Sequence, residues 1–270
     1  MADKTDPDCQ SRYKSLIEKV FFGRYVVGEQ SVAFEREDLV TAASELGMRL
    51  PKNLGDVIYS IRYRTPMPAS ILKIQPKGME WIIEGAGRSK YVFQLVRINR
   101  IVPNQALIVV KIPDATPEIV NAYALSDEQA LLAIVRYNRL IDIFLGLAAY
   151  SLQNHLRTTV RSIGQVEIDE IYVAVDRHGR QFVLPVQAKG GSDQLSVVQT
   201  KQDIACCAEK YPNLICRAIS AQIMEDDLIA LFELAVVDDE IKVVEERHYR
   251  LVTYDLIDED DLRRYSLRST

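Results

Sequence analysis

A chain of 270 residues can hold one large domain or two ordinary ones, and 48% hydrophobic with 26% charged residues is the profile of a soluble globular protein. The net charge of −5 hides a gradient: residues 1–100 carry +4, residues 101–224 carry −1 and residues 225–270 carry −8. The longest apolar-rich stretch, Leu131 to Leu152, is interrupted by Arg136, Asn138, Arg139 and Asp142, which excludes it as a membrane span.

The first ten residues, MADKTDPDCQ, lack the apolar core of a signal peptide, so the cytoplasm is the expected compartment. Cys9, Cys206, Cys207 and Cys216 show no metal-ligand spacing and read as reduced, packing thiols. The basic excess lies in the first hundred residues, where a nucleic-acid contact would fall.

In chain order, helical apolar spacing runs from Ser11 to Phe22, then from Glu37 to Leu46 with Gly47 as the stop, then from Leu54 to Arg62. Strands are expected at Ser70–Ile74 and Tyr91–Val96, with Met79–Glu84 as another and Gly85-Ala86-Gly87 as the turn. Helix, helix, helix, hairpin resembles a winged helix-turn-helix domain over residues 1–102. That resemblance implies a third helix in the major groove and a wing along the phosphates. The third helix would offer Lys52, Asn53, Tyr59, Ser60, Arg62 and Arg64, and the wing Lys77, Arg88, Ser89 and Lys90. Arginine and asparagine can pair bidentately with guanine and adenine edges, and lysine suits phosphate.

Pro113-Asp114-Ala115-Thr116-Pro117 marks residues 103–125 as a linker. From Ser126-Asp127-Glu128 a long helical region is expected to about Val160, broken near Gly146. Strands follow at 166–175 and 182–189, then a helix from Asp193 to Lys210, strands at 214–223, 228–237 and 242–252, and a short acidic helix at 258–264. Residues 126–270 therefore read as an α/β domain with a mixed sheet flanked by helices.

The two strands at 166–175 and 182–189 carry the chemistry. Glu167, Asp169, Ile171, Val173 and Val175 share one face of the first, and Val183, Pro185, Gln187 and Lys189 share one face of the second. Asp176-Arg177-His178-Gly179-Arg180 is the turn between them, so Asp169 and Gln187/Lys189 fall at one end of an antiparallel pair. A carboxylate, an amide and a lysine at the rim of a buried sheet are costly unless they serve something. Mg²⁺ wants hard oxygens, and Asp169, Gln187 and the Ala188 carbonyl supply them. The ion would polarise a scissile phosphate and acidify a bound water, while Lys189 would orient or deprotonate that water and stabilise charge on the phosphorane. The ordinary alternative is a structural hairpin with an Asp169–Lys189 ion pair.

Asp169 with Gln187-Ala188-Lys189 resembles the PD-(D/E)xK nuclease motif in its glutamine variant, similar to Mrr-like restriction enzymes and some transposase nuclease subunits. Ile168 stands where a proline usually precedes the first acid. The resemblance implies a restriction-endonuclease-like core and a Mg²⁺ (or Mn²⁺) cofactor. It also implies a further acid, with Glu167 favoured over Glu128 and the Gln153 position. Gln199 and Lys201 would contact DNA from the helix after the lysine strand. The function this implies is cleavage of double-stranded DNA by a type II-like restriction endonuclease, working as a homodimer with no nucleotide cofactor and no membrane partner. A transposase-type or repair endonuclease needing a partner is the alternative within the class. A non-catalytic DNA-binding regulator with a degenerate nuclease fold is the alternative outside it.

Overall fold

The computed structural model describes residues 7–50, 53–63, 65–97, 101–123, 128–161, 163–190, 197–238 and 240–266. The chain divides into two compact units: Met1–Ile98 with Thr159–Gln165, and Asn99–Thr158 with Val166–Thr270.

The first unit opens with α1 (Pro7–Arg24), β1 (Ser31–Glu35), α2 (Arg36–Glu45) and α3 (Gly55–Tyr63), then α4 (Ala69–Ile74), β2 (Met79–Gly85) and β3 (Lys90–Arg97). The three strands form an antiparallel sheet in the order β1-β3-β2. Its core joins Leu16, Ile17, Val20 and Phe21 of α1 to Val57, Ile58 and Ile61 of α3 and to Trp81 and Phe93 of the sheet. The Phe21 ring meets both Trp81 and Phe93 edge-on at 5.0 Å, an arrangement aromatic quadrupoles favour.

Two elements here differ from the sequence reading. Ser70–Ile74, expected as a strand, lies in α4. Pro68 precedes it, and the Pro68 carbonyl accepts the N–H groups of Ile71 and Leu72 at 3.0 and 3.1 Å, closing a helical turn. The strand β1 went unread because its five residues run directly into α2. Glu35 ends β1 and caps α2, its N–H held by Asp38 at 2.7 Å.

The second unit contains β4 (Val109–Pro113), α5 (Glu118–Tyr123), α6 (Glu128–Tyr137), α7 (Leu140–Leu145) and all but the last two residues of β5 (Ala148–Val160). It continues with all but the first two residues of β6 (Gly164–Val175), then β7 (Gln181–Lys189), α8 (Val197–Lys210), β8 (Ile215–Cys216), β9 (Ala218–Ile223), β10 (Ile229–Val237), β11 (Glu240–Val252) and α9 (Glu259–Ser266). The mixed eight-stranded sheet runs β4-β11-β10-β9-β7-β6-β5, with β8 beside β7. β6 and β7 are antiparallel, whereas β7 and β9 are parallel, with α8 in the connection between them. Leu131, Leu132 and Val135 of α6 pack on one sheet face against Leu184, Val186 and Ala188. Val197 and Ile204 of α8 pack against Ala218, Ala230 and Phe232. Burial on both faces explains the unbroken apolar run of β7.

The region expected to be helical to about Val160 is interrupted twice. Arg139 takes a left-handed conformation (φ 51°) between α6 and α7, and Gly146 does the same (φ 64°) at the end of α7, donating its N–H to Asp142. Beyond Gly146 the chain turns extended and forms β5. Part of the expected linker is a strand: β4 pairs in parallel with β11. The Pro113–Pro117 turn is pinned by Asn138, which accepts from the Ala115 N–H and donates to Thr116 Oγ1, both at 2.7 Å. Among the described residues no helix is long and apolar enough to cross a membrane.

Candidate functional site

β6 and β7 pair from Glu170↔Val186 to Val175↔Gln181. The turn that joins them is built by Asp176, whose Oδ1 accepts the N–H groups of His178 and Arg180 at 2.8 and 2.9 Å. Gly179 adopts the left-handed conformation (φ 79°) the turn requires. That register carries Asp169, Gln187 and Lys189 to one end of the sheet. There the Ala188 N–H donates to Asp169 Oδ2 at 3.0 Å. Burial pushes the Asp169 carboxyl above its usual value. The Ala188 hydrogen bond and the Lys189 charge pull it partly back, and Glu128 adds to the rise. A raised carboxyl in a desolvated corner is a group that gains from a cation.

Glu128, the first residue of α6, lies with Oε1 3.8 Å from Lys189 Nζ. The helix that covers the α6 face of the sheet therefore delivers an acid to the lysine, although 61 positions separate them in sequence. Glu167, two residues before Asp169 on β6, has partners on β5. Its carboxylate is taken by Arg157 of β5 at 3.0 Å, with His155 Nδ1 at 3.9 Å. Gln153 is exposed on β5. His155 holds a left-handed backbone conformation (φ 49°) inside β5.

Behind Asp169 and Lys189, the Gln187 side chain is 2% exposed. Its Nε2 donates to Thr200 Oγ1 and to Asp203 Oδ2, each at 3.0 Å. Thr200 and Asp203 are one helical turn apart on α8 and both are buried. Gln187 Oε1, Asp203 Oδ1 and the hydroxyl of Ser220, the cross-strand partner of Gln187, have no hydrogen-bond partner among the described residues. Burial drives the Asp203 carboxyl well above its usual value. The Gln187 hydrogen bond opposes the rise and the Asp169 charge adds to it. Sequence reasoning missed Thr200 and Asp203. The available signal was a threonine and an aspartate three apart on the buried side of the helix that follows the lysine strand.

Among the described residues no three His, Cys, Asp or Glu side chains converge as a metal cluster. The candidate hard oxygens are the Asp169 and Glu128 carboxylates, the buried, unpartnered Oε1 of Gln187, and the carbonyl of Ala188, which follows Gln187 on β7. Hard oxygens of this kind, with one buried acceptor left unpaired, fit Mg²⁺ or Mn²⁺ and would not suit a soft metal.

The residues expected to contact DNA differ in their exposure. In the first unit Tyr59, Lys77, Arg88 and Lys90 are exposed, and Lys90 lies 3.8 Å from Glu35. Asn53, expected to face DNA, caps α3: its Oδ1 accepts the Gly55 N–H at 3.1 Å and its Nδ2 donates to Asp56 at 3.0 Å. Arg62 is half-buried, and Ser60 bonds Thr65 at 3.0 Å. Lys52 and Arg64 lie outside the described residues. Gln199 and Lys201 are half-buried on α8. The chain matches no protein-family model, no curated protein and no solved structure.

Proposed function

We propose that the chain is a metal-dependent endonuclease of double-stranded DNA, of the restriction type. The observation that carries the reading is the meeting of Asp169, Lys189 and Glu128 at one end of the mixed sheet, with Gln187 beside them. Glu128, not Glu167, takes the place of the further acid, because Arg157 already holds Glu167. The succession β6, β7, α8, β9, with β7 and β9 parallel, supports a restriction-endonuclease-like core. The succession α1, β1, α2, α3, α4, β2, β3, with β3 between β1 and β2 in the sheet, supports a winged helix in the first unit. Free thiols at Cys206, Cys207 and Cys216 suit a reducing, cytoplasmic setting.

In this reading Asp169, Gln187 and Glu128 would hold the cation, which would supply Lewis-acid polarisation of the phosphate and a lowered pKa for a bound water. Lys189 orients the attacking water and offsets negative charge on the phosphorane oxygens. Glu128, 3.8 Å from the ammonium, keeps Lys189 aimed. Tyr59, Arg62, Arg88 and Lys90 grip the duplex from the first unit.

The test is cleavage of a large, unmethylated, sequence-diverse DNA with and without Mg²⁺, comparing the wild type with Lys189→Ala. Discrete fragments that need Mg²⁺ are expected, and the variant should lose on the order of 10²–10³ in rate. Stable DNA binding without cutting would instead identify a regulator or a nuclease that waits for a partner. Neither binding nor cutting would refute the DNA reading of both units.

A further inference from the structure

An amide side chain has a donor end and an acceptor end of nearly the same shape, and an unanchored glutamine presents either. Gln187 is anchored twice, and both anchors are acceptors. Thr200 Oγ1 and Asp203 Oδ2 each take a hydrogen of Nε2 at 3.0 Å. Both partners sit on α8, and Thr200 and Asp203 are 1% exposed, so the arrangement is held by packing on all sides. With the nitrogen committed to the helix, the remaining position belongs to Oε1, which is buried and has no donor among the described residues. A buried acceptor is costly unless something satisfies it.

We propose that Asp203, assisted by Thr200, is a positioning residue that locks the Gln187 amide with its oxygen turned to the cation site. This lets a neutral glutamine serve where a carboxylate would need no such orientation. The proposal rests on the reading of Asp169, Gln187 and Glu128 as a cation site. It adds a partner to the ligand, of the kind whose loss weakens metal affinity without touching the metal.

The test is calorimetric titration of the full chain with Mn²⁺ in the absence of DNA, with thermal unfolding run on every variant. Gln187→Ala should weaken Mn²⁺ binding, and Asp203→Leu should weaken it about 10- to 100-fold. Asp203→Asn keeps an oxygen that accepts from Nε2 and should bind as the wild type does, a rescue that a purely space-filling role for Asp203 does not predict. Thr200→Val, nearly isosteric, removes the other anchor and should weaken binding with the melting temperature preserved. It serves as the decisive variant if Asp203→Leu fails to fold. Wild-type affinity in both Asp203→Leu and Thr200→Val, alongside weak binding by Gln187→Ala, overturns the positioning role and leaves the cation site standing. Wild-type affinity in Gln187→Ala, or no Mn²⁺ binding by the wild type, overturns the cation site and the proposal with it.

Discussion

Replacing Arg136 by alanine isolates the energy of a charge that α6 keeps buried. Glu170, the neighbour of Asp169 on β6, is 0% exposed. Its Oε1 receives Arg136 Nε at 3.0 Å and Nη2 at 2.9 Å, and the Ser151 hydroxyl as well. Breaking a buried pair by removing one partner costs about 3–5 kcal/mol, because the other charge is left without compensation. The Arg136 side chain is 37% accessible, so water can enter where it stood, and the lower end, about 3 kcal/mol, is expected. For a unit of this size that is roughly 10 °C in melting temperature. Urea unfolding at pH 7 followed by far-UV circular dichroism measures the loss. Fluorescence of the single tryptophan, Trp81, reports the first unit separately and should not shift. The double substitution Arg136→Met with Glu170→Leu should recover most of the stability, since apolar residues of similar volume often replace a buried pair without loss. An Arg136→Ala variant within about 1 kcal/mol of wild type, or a double variant no better than the single, would refute the account of Glu170 as a desolvated, compensated charge.

Two more outcomes are expected at groups remote from the site. Burial alone would raise the Asp176 carboxyl, but the Arg180 side chain and the backbone N–H groups of Arg180 and His178 outweigh it and hold it at about 2. A carboxyl depressed in the folded state stabilises above its ordinary value of 3.8 and loses that effect as pH falls through about 2. Asp176→Asn should therefore be less stable than wild type at pH 7, and the gap should close on acidification. An equal gap at pH 7 and pH 2 would assign the loss to turn geometry instead. In the other case, the Tyr265 hydroxyl accepts the Lys111 N–H at 3.1 Å and donates to the Lys111 carbonyl at 3.0 Å. Tyr265→Phe strips both backbone groups of their partner and should cost about 1–2 kcal/mol in urea unfolding, and no change would show that water replaces the hydroxyl freely.

What the sequence disclosed followed the strength of its local signals. β6, the turn and β7 were legible because period-two alternation meets a tight Asp-x-x-Gly turn, and both are decided within a few residues. β5 was not, because most of its side chains are exposed, the large apolar residues Tyr150 and Leu152 among them. β4 was masked by the prolines beside it, which punctuate a pinned turn here and not a flexible linker. At the site, Asp169, Gln187 and Lys189 lie on strands whose pairing could be inferred. Glu128 could not be placed beside Lys189, because only the packing of α6 on the sheet brings it there. The same limit hid Asp203 and Thr200. Asn53 shows the reverse error: a residue type suited to reading adenine is also a preferred helix cap, and its surroundings decide for the cap.

The two outer strands of the large sheet are closed in different ways. On β4, the tyrosine of α9 stands in for a neighbouring strand at Lys111, and Lys111 itself is tied by Nζ to Asp261 at 2.7 Å. On β5, the left-handed turn of the backbone at His155 interrupts an otherwise extended border of 13 residues. Neither border offers an uninterrupted row of free N–H and C=O groups, the template on which sheets of separate molecules join. Cutting both strands of a duplex calls for two catalytic centres or two visits by one. If two copies of this chain meet for that purpose, they meet through side chains on a face, and a continuous sheet across the pair is not the expected form of the assembly.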